Sequence, residues 1–484
     1  MKKYIVFIIL IIFYYSSVFA NSSKIKNHII IDTDGAADDL RTICLLLSSE
    51  EIEVIAITTS DGALIPEEGL IKVRALLKNF GHEGIPTSFG ENSQSNPPQW
   101  RELSQKIYWG DENLIKTTIK RNASDLIISS IDTEEQPVTV ICLGSLTNIS
   151  NALLIKPEIK KGIEQIVWYN NSIHPNSGTN YEIDKKAAEN ILSTGIRINV
   201  IGNFNGEVIG FTKKLLQSIE AIQTPYAQKI AESHRQNEVY KMIETNHLKI
   251  WDDLIALYML YPQLFETKTF EKYLNHSISW ISKTDKIEEK IVEILSYKND
   301  ETCIVFKQFP DNPHLYRDDV NQYMNQIIEN HGKEEWKIIV LTNEFHNHLG
   351  IYSIIGAKMG LRAREYFNIG LDELLVVSYA GNRPPISCLN DGLQVSTGAT
   401  LGHGTISTTK DLPQIPKAIF TFKNTSISLQ LKHDYWDIVK KDIKQGIKKH
   451  GLLTNDYWLF IRELAIRYWL DWSRKEIFNI KIID

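Results

Sequence analysis

Four aspartates lie within eight residues in the stretch IIIDTDGAADDL. Asp32 and Asp34 end an apolar run that is typical of a β-strand, and because side chains alternate along a strand, both point the same way. Gly35 allows a sharp turn, after which a helix would bring Asp38 and Asp39 round to the same place. Converging carboxylates repel each other unless a cation or a proton lies between them. An all-oxygen ligand set of this kind favours calcium.

A simpler interpretation of the same motif is also open. Acidic residues in the first turn of a helix complement its dipole, which would account for Asp38 and Asp39. Asp32 could cap a turn through its side-chain oxygens. The motif in isolation does not decide between a capped helix and a cation site.

The elements around this motif alternate between short apolar strands and amphipathic helices. The strand-like segments read HIIIDTD, EVIAITTS, VTVICL, QIVWYN and RINVIG, and the helix-like segments between them read DDLRTICLLLSS, IPEEGLIKVRALLKNF, LTNISNALL and DKKAAENILS. This alternation predicts an α/β fold, a mostly parallel Rossmann-like open sheet with helices on both faces. Ligands of such sheets bind at the carboxyl ends of the strands, where the aspartates lie.

Length and composition predict a second domain. The chain has 484 residues, 43% of them hydrophobic and 23% charged, which is too long for one ordinary core. The character changes near residue 330, so we expect one domain over 27–330 and a smaller α+β domain over 331–484. The net charge of -6 gives no basic field for a phosphate backbone, and nucleic acid is not an expected partner.

The N-terminus has the pattern of a targeting segment. Residues 1–20 carry two lysines, an uninterrupted apolar run and small residues at the end, which predicts a signal peptide cleaved after Ala20 and a periplasmic or secreted protein. A retained membrane anchor is the alternative, since the run could nearly span a bilayer. Later segments show no transmembrane run. Of the four cysteines, Cys44 and Cys142 fall on apolar faces and are expected to be core residues.

The sequence up to about residue 330 resembles the inosine-uridine preferring nucleoside hydrolases, whose N-terminal signature is DxDxGxDD. The segments EIEVIAITTSDG, CLGSLTNISNALL, NYEIDKKAA and WDDLIALYMLYPQLF follow in the order of that family. The resemblance implies a calcium-dependent enzyme that hydrolyses the N-ribosidic bond of ribonucleosides, giving ribose and free base. A homodimer and a role in purine salvage are further expectations.

Residue by residue, the resemblance implies a calcium site. Asp34, Asp39 and Asp252 match carboxylate ligands, and Leu143 occupies a position that donates its backbone carbonyl. The metal would bind the sugar diol and a water together and lower the pKa of that water. Asp34 is assigned as the base that takes the proton of the water.

The positions that contact the substrate match the family less completely. Asp38 and Asn180 match residues that bind ribose hydroxyls, and Trp251 stands where purine-preferring members stack the base. Trp251 could equally be a core residue under its loop. Ala63 replaces a common asparagine, and Gly178 replaces an acidic residue that contacts the 5'-hydroxyl in some members. Two alternatives therefore stay open: a non-catalytic periplasmic ligand- or metal-binding protein, and a hydrolase of a non-nucleoside ribosyl conjugate.

The C-terminal part resembles the FmdE family through EFHNHLGIYSIIGAKMG and RPPISCLNDGLQ. His346 and His348 would alternate on an extended segment and share a face, with Cys388 at a loop start and Asp391 and Gln394 behind it. Two imidazoles and a thiolate with an open position suit zinc. The alternative is that the histidines stabilise a glycine-rich fold beside a buried thiol.

Overall fold

A computed structural model describes residues 26–92, 97–115, 122–204, 208–270, 273–296, 305–409 and 413–483. The predicted signal peptide, its cleavage site and Cys303 lie outside these ranges. The chain divides into two compact units, residues 1–297 and 298–484, and each is described by itself. Within the described ranges, no helix has the length and apolar character that a membrane crossing requires.

Within the part of the chain that the structure describes, the first unit contains an eight-stranded sheet. Its strands are β1 (Asn27–Thr33), β2 (Ile52–Thr59), β3 (Thr87–Phe89), β4 (Val138–Cys142), β5 (Ile163–Tyr169), β6 (Ile198–Ile201), β7 (Phe265–Phe270) and β8 (Tyr273–Ile281). They follow the order β3-β2-β1-β4-β5-β6-β8-β7. All neighbouring pairs are parallel except β7 with β8. The predicted mostly parallel open sheet is confirmed.

Helices cover both faces of this sheet, because the strands are apolar on both sides. Ile29 and Ile31 of β1 belong to one hydrophobic core and Ile30 to another, and all three are wholly buried. The helices are α1 (Ala37–Leu47), α2 (Pro66–Phe80), α3 (Arg101–Lys106), α4 (Ala123–Thr133), α5 (Thr147–Ile155), α6 (Thr179–Ile183), α7 (Lys185–Ser193), α8 (Lys213–Glu220), α9 (Pro225–His234), α10 (Asn237–Glu244), α11 (Asp253–Leu260) and α12 (Ile287–Ser296). Cys44 and Cys142 are buried, as expected.

The strand register brings several carboxyl ends to one edge of the sheet. Asp32 near the end of β1 lies opposite Thr58 of β2 and Cys142 of β4, and Cys142 lies opposite Trp168 of β5. The segments that follow β1, β2, β4 and β5 therefore leave the sheet side by side. This edge carries the residues that the sequence singled out.

The second unit is a smaller α+β fold, as predicted. Its sheet has the order β10-β9-β11-β12-β13, with β9 and β10 parallel and the other pairs antiparallel. The strands are β9 (Leu375–Ser378), β10 (Ile406–Thr408), β11 (Lys417–Phe422), β12 (Thr425–Leu431) and β13 (Phe478–Ile483). The helices are α13 (Asp318–Asn321), α14 (Met324–His331), α15 (Lys333–His346), α16 (Ile351–Phe367), α17 (Leu389–Thr397), α18 (His433–His450) and α19 (Asn455–Asp471).

The second unit begins before the boundary near residue 330 that the sequence suggested. Val320, Met324 and Ile327 are buried in the same core as Trp336. Helix α14 therefore packs its apolar face into the core of the second unit, and its other face is polar. The segment before residue 331 belongs to the C-terminal unit.

Candidate active site at the sheet edge

Three carboxylates meet at the carboxyl edge of the first sheet. Asp38 and Asp39 lie in the first turn of α1, and Asp252 is the residue before α11. One oxygen from each lies within 4.8 Å of the others, and all three side chains are buried. The turn and helix after β1 therefore do bring Asp38 and Asp39 to one spot, where a residue more than 200 positions later joins them.

Asp34 adjoins this group and is tied to it by the backbone. Its amide donates to Asp39 Oδ2 at 3.0 Å, and the hydroxyl of Thr33 donates to the same oxygen at 2.6 Å. The Asp34 side chain occupies the space above Gly62, where a Cβ would lie 2.1 Å from Asp34 Oδ2. Burial raises the pKa of Asp34 to about 6, against the opposing effect of the Ala63 backbone amide.

Burial also raises the pKa values of the other carboxylates in the group. The pKa of Asp39 lies well above its usual range because of burial and the charges of Asp34 and Asp38. The pKa of Asp252 is raised in the same way. Asp252 Oδ1 is buried and has no hydrogen-bond partner among the described residues. An unpaired buried oxygen within a set of crowded carboxylates fits a hard divalent cation, which would satisfy the oxygen and offset the repulsion.

Asp32 has a different environment. It accepts hydrogen bonds from the Thr58 hydroxyl at 2.6 Å and from Asn148 Nδ2 at 2.7 Å, and burial raises its pKa to about 7. The alternative in which Asp32 caps a turn is not what the structure shows, since its partners come from β2 and α5. Asn148 also donates to the Thr59 carbonyl at 3.0 Å. This asparagine was missed, although it lies inside the matching segment CLGSLTNISNALL.

Leu143, the predicted carbonyl ligand, and Asn180, the predicted ribose-binding amide, lie next to each other. The Leu143 amide donates to the Asp32 carbonyl at 2.8 Å. The Leu143 carbonyl accepts from Asn180 Nδ2 at 2.8 Å, and the second Nδ2 proton goes to the Tyr169 carbonyl at 3.0 Å. Because both protons of the Asn180 amide are used, its Oδ1 is the atom that can accept from a sugar hydroxyl.

The aromatic residues around the group divide between the two faces of the sheet. Trp251 precedes Asp252, is half-buried and packs against the same core as Tyr169. The Tyr169 side chain is buried near Asp252 and Asp38, and burial and these charges raise its pKa. Trp168 is wholly buried in the core of the opposite face and donates to the Gly144 carbonyl at 3.0 Å. Alternation along β5 places its neighbour at the site instead.

The loop after β2 is held by a residue that the sequence did not indicate. Arg101 donates to Asp61 at 2.8 Å and to the Gly62 carbonyl at 2.6 Å. Ala63, which stands where relatives have asparagine, is wholly buried. Gly178 has φ +109° and comes directly before α6. Arg101 therefore fixes the loop that packs on Asp34.

In the second unit, the predicted histidines do not lie on an extended segment. His346 is the last residue of α15, and Asn347 then takes a left-handed conformation with φ 65°. That turn still brings the rings of His346 and His348 together, with centroids 4.2 Å apart. Helix α15 continues into FHNHLG, where the alternation of residues suggested an extended segment.

His346 lies between a carboxylate and a thiol. Its Nδ1 lies 2.6 Å from Asp391 Oδ2, while the buried Nε2 has no partner of hydrogen-bond geometry among the described residues. The hydrogen bond with Asp391 and the nearby Cys388 raise the pKa of His346 to about 9. Cys388 precedes α17. Within the described residues, His346, His348 and Cys388 do not meet the 4.8 Å spacing of the carboxylate group.

Comparisons with known protein families match both units. The model of the family described as inosine-uridine preferring nucleoside hydrolase matches residues 29–298, more than half of the chain. The model described as FmdE, Molybdenum formylmethanofuran dehydrogenase operon matches residues 345–479. The arrangement inferred from the sequence motifs is therefore confirmed.

Individual proteins of known name match this chain at sequence identities below 30%. A pyrimidine-specific ribonucleoside hydrolase RihA of Shewanella woodyi is 29% identical over 42% of this chain and 69% of its own length. A probable uridine nucleosidase 2 of Arabidopsis thaliana is 27% identical over 38% of this chain and 62% of its own length. A solved purine-preferring ribonucleoside hydrolase from Gardnerella vaginalis has a TM-score of 0.47 and 21% identity, over 56% of this chain and 99% of that chain.

Proposed function

The chain belongs to the inosine-uridine preferring nucleoside hydrolase family, and on that premise we propose that its first unit is a calcium-dependent hydrolase that cleaves the N-ribosidic bond of ribonucleosides to ribose and free base. The predicted enzyme class, a hydrolase acting on N-glycosyl bonds, is confirmed by the family match. The observation that carries the proposal is the buried group of Asp38, Asp39 and Asp252, in which Asp252 Oδ1 has no partner.

The chain supplies a coherent set of oxygen ligands for calcium. Asp34, Asp39 and Asp252 would bind through carboxylates and Leu143 through its carbonyl, and the bound ion would contribute a polarised water and contacts to the sugar diol. Asp34 would take the proton of that water. Burial raises the pKa of Asp34 to about 6 in the metal-free protein, and a bound calcium ion would favour the carboxylate form that accepts a proton.

Two residues are placed to hold the ribose. Asp38 is buried in the carboxylate group and accepts from a sugar hydroxyl, while Asn180 Oδ1 accepts from another. Two fixed acceptors would hold the anomeric carbon in one position relative to the water. Such positioning contributes much of the rate of a bond cleavage through a cation-like transition state.

The leaving group is proposed to be a purine more readily than a pyrimidine. Trp251 is half-buried beside Asp252 and offers an aromatic surface for stacking of a two-ring base. His247, the nearest upstream histidine, is exposed and contacts Thr245 at 2.8 Å. The RihA and uridine nucleosidase relatives are named for pyrimidine and uridine substrates, so both classes of base belong in the assay.

Purified full-length protein should be incubated with a panel of purine and pyrimidine ribonucleosides, with calcium and with a calcium chelator, while free base and reducing sugar are measured. Chelator-sensitive release of both products is expected, faster for inosine than for uridine. Asp34→Asn should abolish it, whereas Asp132→Asn, at an exposed ion pair with Lys156, should leave it unchanged. Nucleoside binding by calorimetry without any base release would favour the non-catalytic alternative.

Release of reducing sugar from ribosyl conjugates but from no nucleoside would favour the alternative of a hydrolase that acts on a non-nucleoside ribosyl conjugate.

We also propose export, because residues 1–20 have the signal-peptide pattern. Fractionation of producing cells, followed by mass measurement of the protein N-terminus, tests this. A periplasmic or secreted form starting at Asn21 is expected, and a full-length cytoplasmic form would contradict it.

A zinc site in the second unit is proposed on a separate observation. His346 Nε2 is buried without a partner, and Cys388 lies close enough to affect the pKa of this imidazole. His348 is the third candidate ligand, with its ring against that of His346. Zinc content of the full-length protein should fall in His346→Ala and in Cys388→Ala, but not in His433→Ala, an exposed histidine of the same unit. Zinc retained by both of the first two variants would refute this ligand set.

A further inference from the structure

A buried arginine lies directly behind the carboxylate group. Arg41, in α1, donates through Nε and Nη2 to the two oxygens of Asp253, both at 2.5 Å. Its Nη2 also donates to the Lys249 carbonyl at 2.9 Å, and its Nη1 lies 2.9 Å from His234 Nε2. Arg41 and Asp253 are both wholly buried. A two-point ion pair of this kind fixes relative orientation as well as distance.

The histidine partner completes the arrangement without adding charge. Burial and the adjacent Arg41 hold the pKa of His234 well below its usual range, so the imidazole is neutral. Its Nε2 then accepts from Arg41 Nη1, and its Nδ1 faces the Ser233 hydroxyl at 3.0 Å. Arg41 therefore joins three helices: α1, which carries it, α9, which ends at His234, and α11, which begins with Asp253.

Two of these helices, α1 and α11, carry or adjoin the carboxylate group. Arg41 follows Asp39 by two residues, and Asp253 follows Asp252 directly. The ion pair thus connects the part of the group on α1 to the part at the start of α11. We propose that Arg41 and Asp253 are positioning residues that set the spacing between Asp39 and Asp252, and so determine the affinity of the site for calcium. This inference rests on the proposed function.

Charge gives a second reason for the pair. Asp253 would otherwise place a further uncompensated negative charge beside Asp252. Arg41 compensates that charge at short range through its two contacts with the Asp253 carboxylate. The site keeps its full set of ligands while the neighbouring aspartate is neutralised locally. A cation bound at the group therefore meets oxygens in fixed positions, without the added repulsion of an uncompensated Asp253.

The sequence contained a faint sign of this pair. Arg41 interrupts the apolar run of α1 in DDLRTICLLL, where an unpaired arginine could not be buried. Asp253 doubles the aspartate in WDD. Neither residue identifies the other, because the two are separated by more than 200 positions and only the folded chain brings them together.

Two substitutions separate geometry from charge. Arg41→Lys keeps the positive charge but loses the two-point contact. Asp253→Asn keeps the shape but leaves the arginine without its counter-charge. Calcium binding should be measured by calorimetry on the full-length chain after chelator treatment, with kcat and KM at saturating calcium and the melting temperature. We expect the calcium Kd to rise about tenfold in Arg41→Lys and further in Asp253→Asn, because the unpaired cation then repels calcium. KM at saturating calcium should stay within about twofold.

The control is a buried ion pair in the other unit. Lys358 Nζ lies 2.6 Å from Glu335, both wholly buried, and Lys358→Met should lower the melting temperature without changing the calcium Kd. Unchanged calcium Kd in folded Arg41→Lys or folded Asp253→Asn, with only a lower melting temperature, would overturn the inference. Wild-type protein that neither binds calcium nor hydrolyses nucleosides would instead defeat the proposed function.

Discussion

The candidate sites of the two units differ in how their buried charges are matched. In the first unit, Asp38, Asp39 and Asp252 crowd together, and one oxygen of Asp252 has no partner. In the second unit, His346 already holds a proton against Asp391 and has a pKa of about 9. A metal must therefore displace protons at both sites, because raised pKa values retain them in the metal-free protein, but only at the first does it also relieve repulsion between carboxylates. Calcium binding at the first site and zinc binding at the second should each release protons.

The largest effect is expected from removing a carboxylate of the first site. Asp252→Asn should reduce kcat/KM by about a thousandfold, since metal assistance contributes several kcal/mol to such transition states. In chelator, the same variant should melt at a higher temperature than wild type, because it buries one fewer repelling charge. Nucleoside kinetics and calorimetry with chelator check both. A variant that is equally active, or less stable without metal, would break the contrast between the sites.

A smaller loss should follow from displacing Asp34 without changing its chemistry. In Gly62→Ala, the new Cβ would lie 2.1 Å from Asp34 Oδ2, so the carboxylate must move. A shift of about 1 Å in a reacting group costs on the order of a hundredfold in kcat. Gly69→Ala is the matched control, because its Cβ would meet Thr59 only at 3.5 Å. Kinetics at saturating calcium should show the loss in Gly62→Ala alone.

Substitution of Asp391, which contacts the proposed ligand His346, should weaken zinc binding at the second site and leave the first site unchanged. Asp391→Asn removes the carboxylate that fixes the His346 imidazole, and zinc affinity should fall about 10- to 100-fold. Nucleoside hydrolysis should remain at the wild-type rate. Zinc competition against a chelating dye and the nucleoside assay on the same preparation measure the two. Unchanged zinc affinity would show that Asp391 does not position His346 for metal.

The smallest effect is a difference in the pH dependence of stability of metal-free protein. Asp34 and Asp32 have pKa values raised from 3.8 to about 6 and 7, so the folded state retains protons that the unfolded chain has lost. Stability should fall as pH rises from about 4 to 7. His346, raised from 6.5 to about 9, should give a second fall between those values. Scanning calorimetry across pH should show both, and calcium should remove the part of the first fall that Asp34 contributes and leave the second unchanged.

Local pattern was enough to predict part of the first site. Alternation along β1 and the turn at Gly35 placed Asp34, Asp38 and Asp39 together because these residues are close in the chain. Asp252 entered only through family resemblance, and Arg101 and the Arg41 pair were missed, since their contacts join distant segments. Periodicity predicts which residues share a face, but not which distant face lies opposite.

The error at His346 has an equally local cause. His346 was expected on an extended segment because FHNHLG alternates, yet α15 continues to His346 and ends at the left-handed Asn347. Helix ends are decided by the conformation of one or two residues, which alternation does not reveal.

Strand β1 lies between β2 and β4, and Ile29, Ile30 and Ile31 are wholly buried on both of its faces. Amides in such a strand exchange with solvent only when the whole unit opens. Asp32 and Asp34, at the end of β1, therefore lie on a segment that opens only when the whole unit opens. Heat or protease should inactivate this enzyme in a single step that coincides with loss of the fold, without a preceding phase in which the intact unit has lost its site.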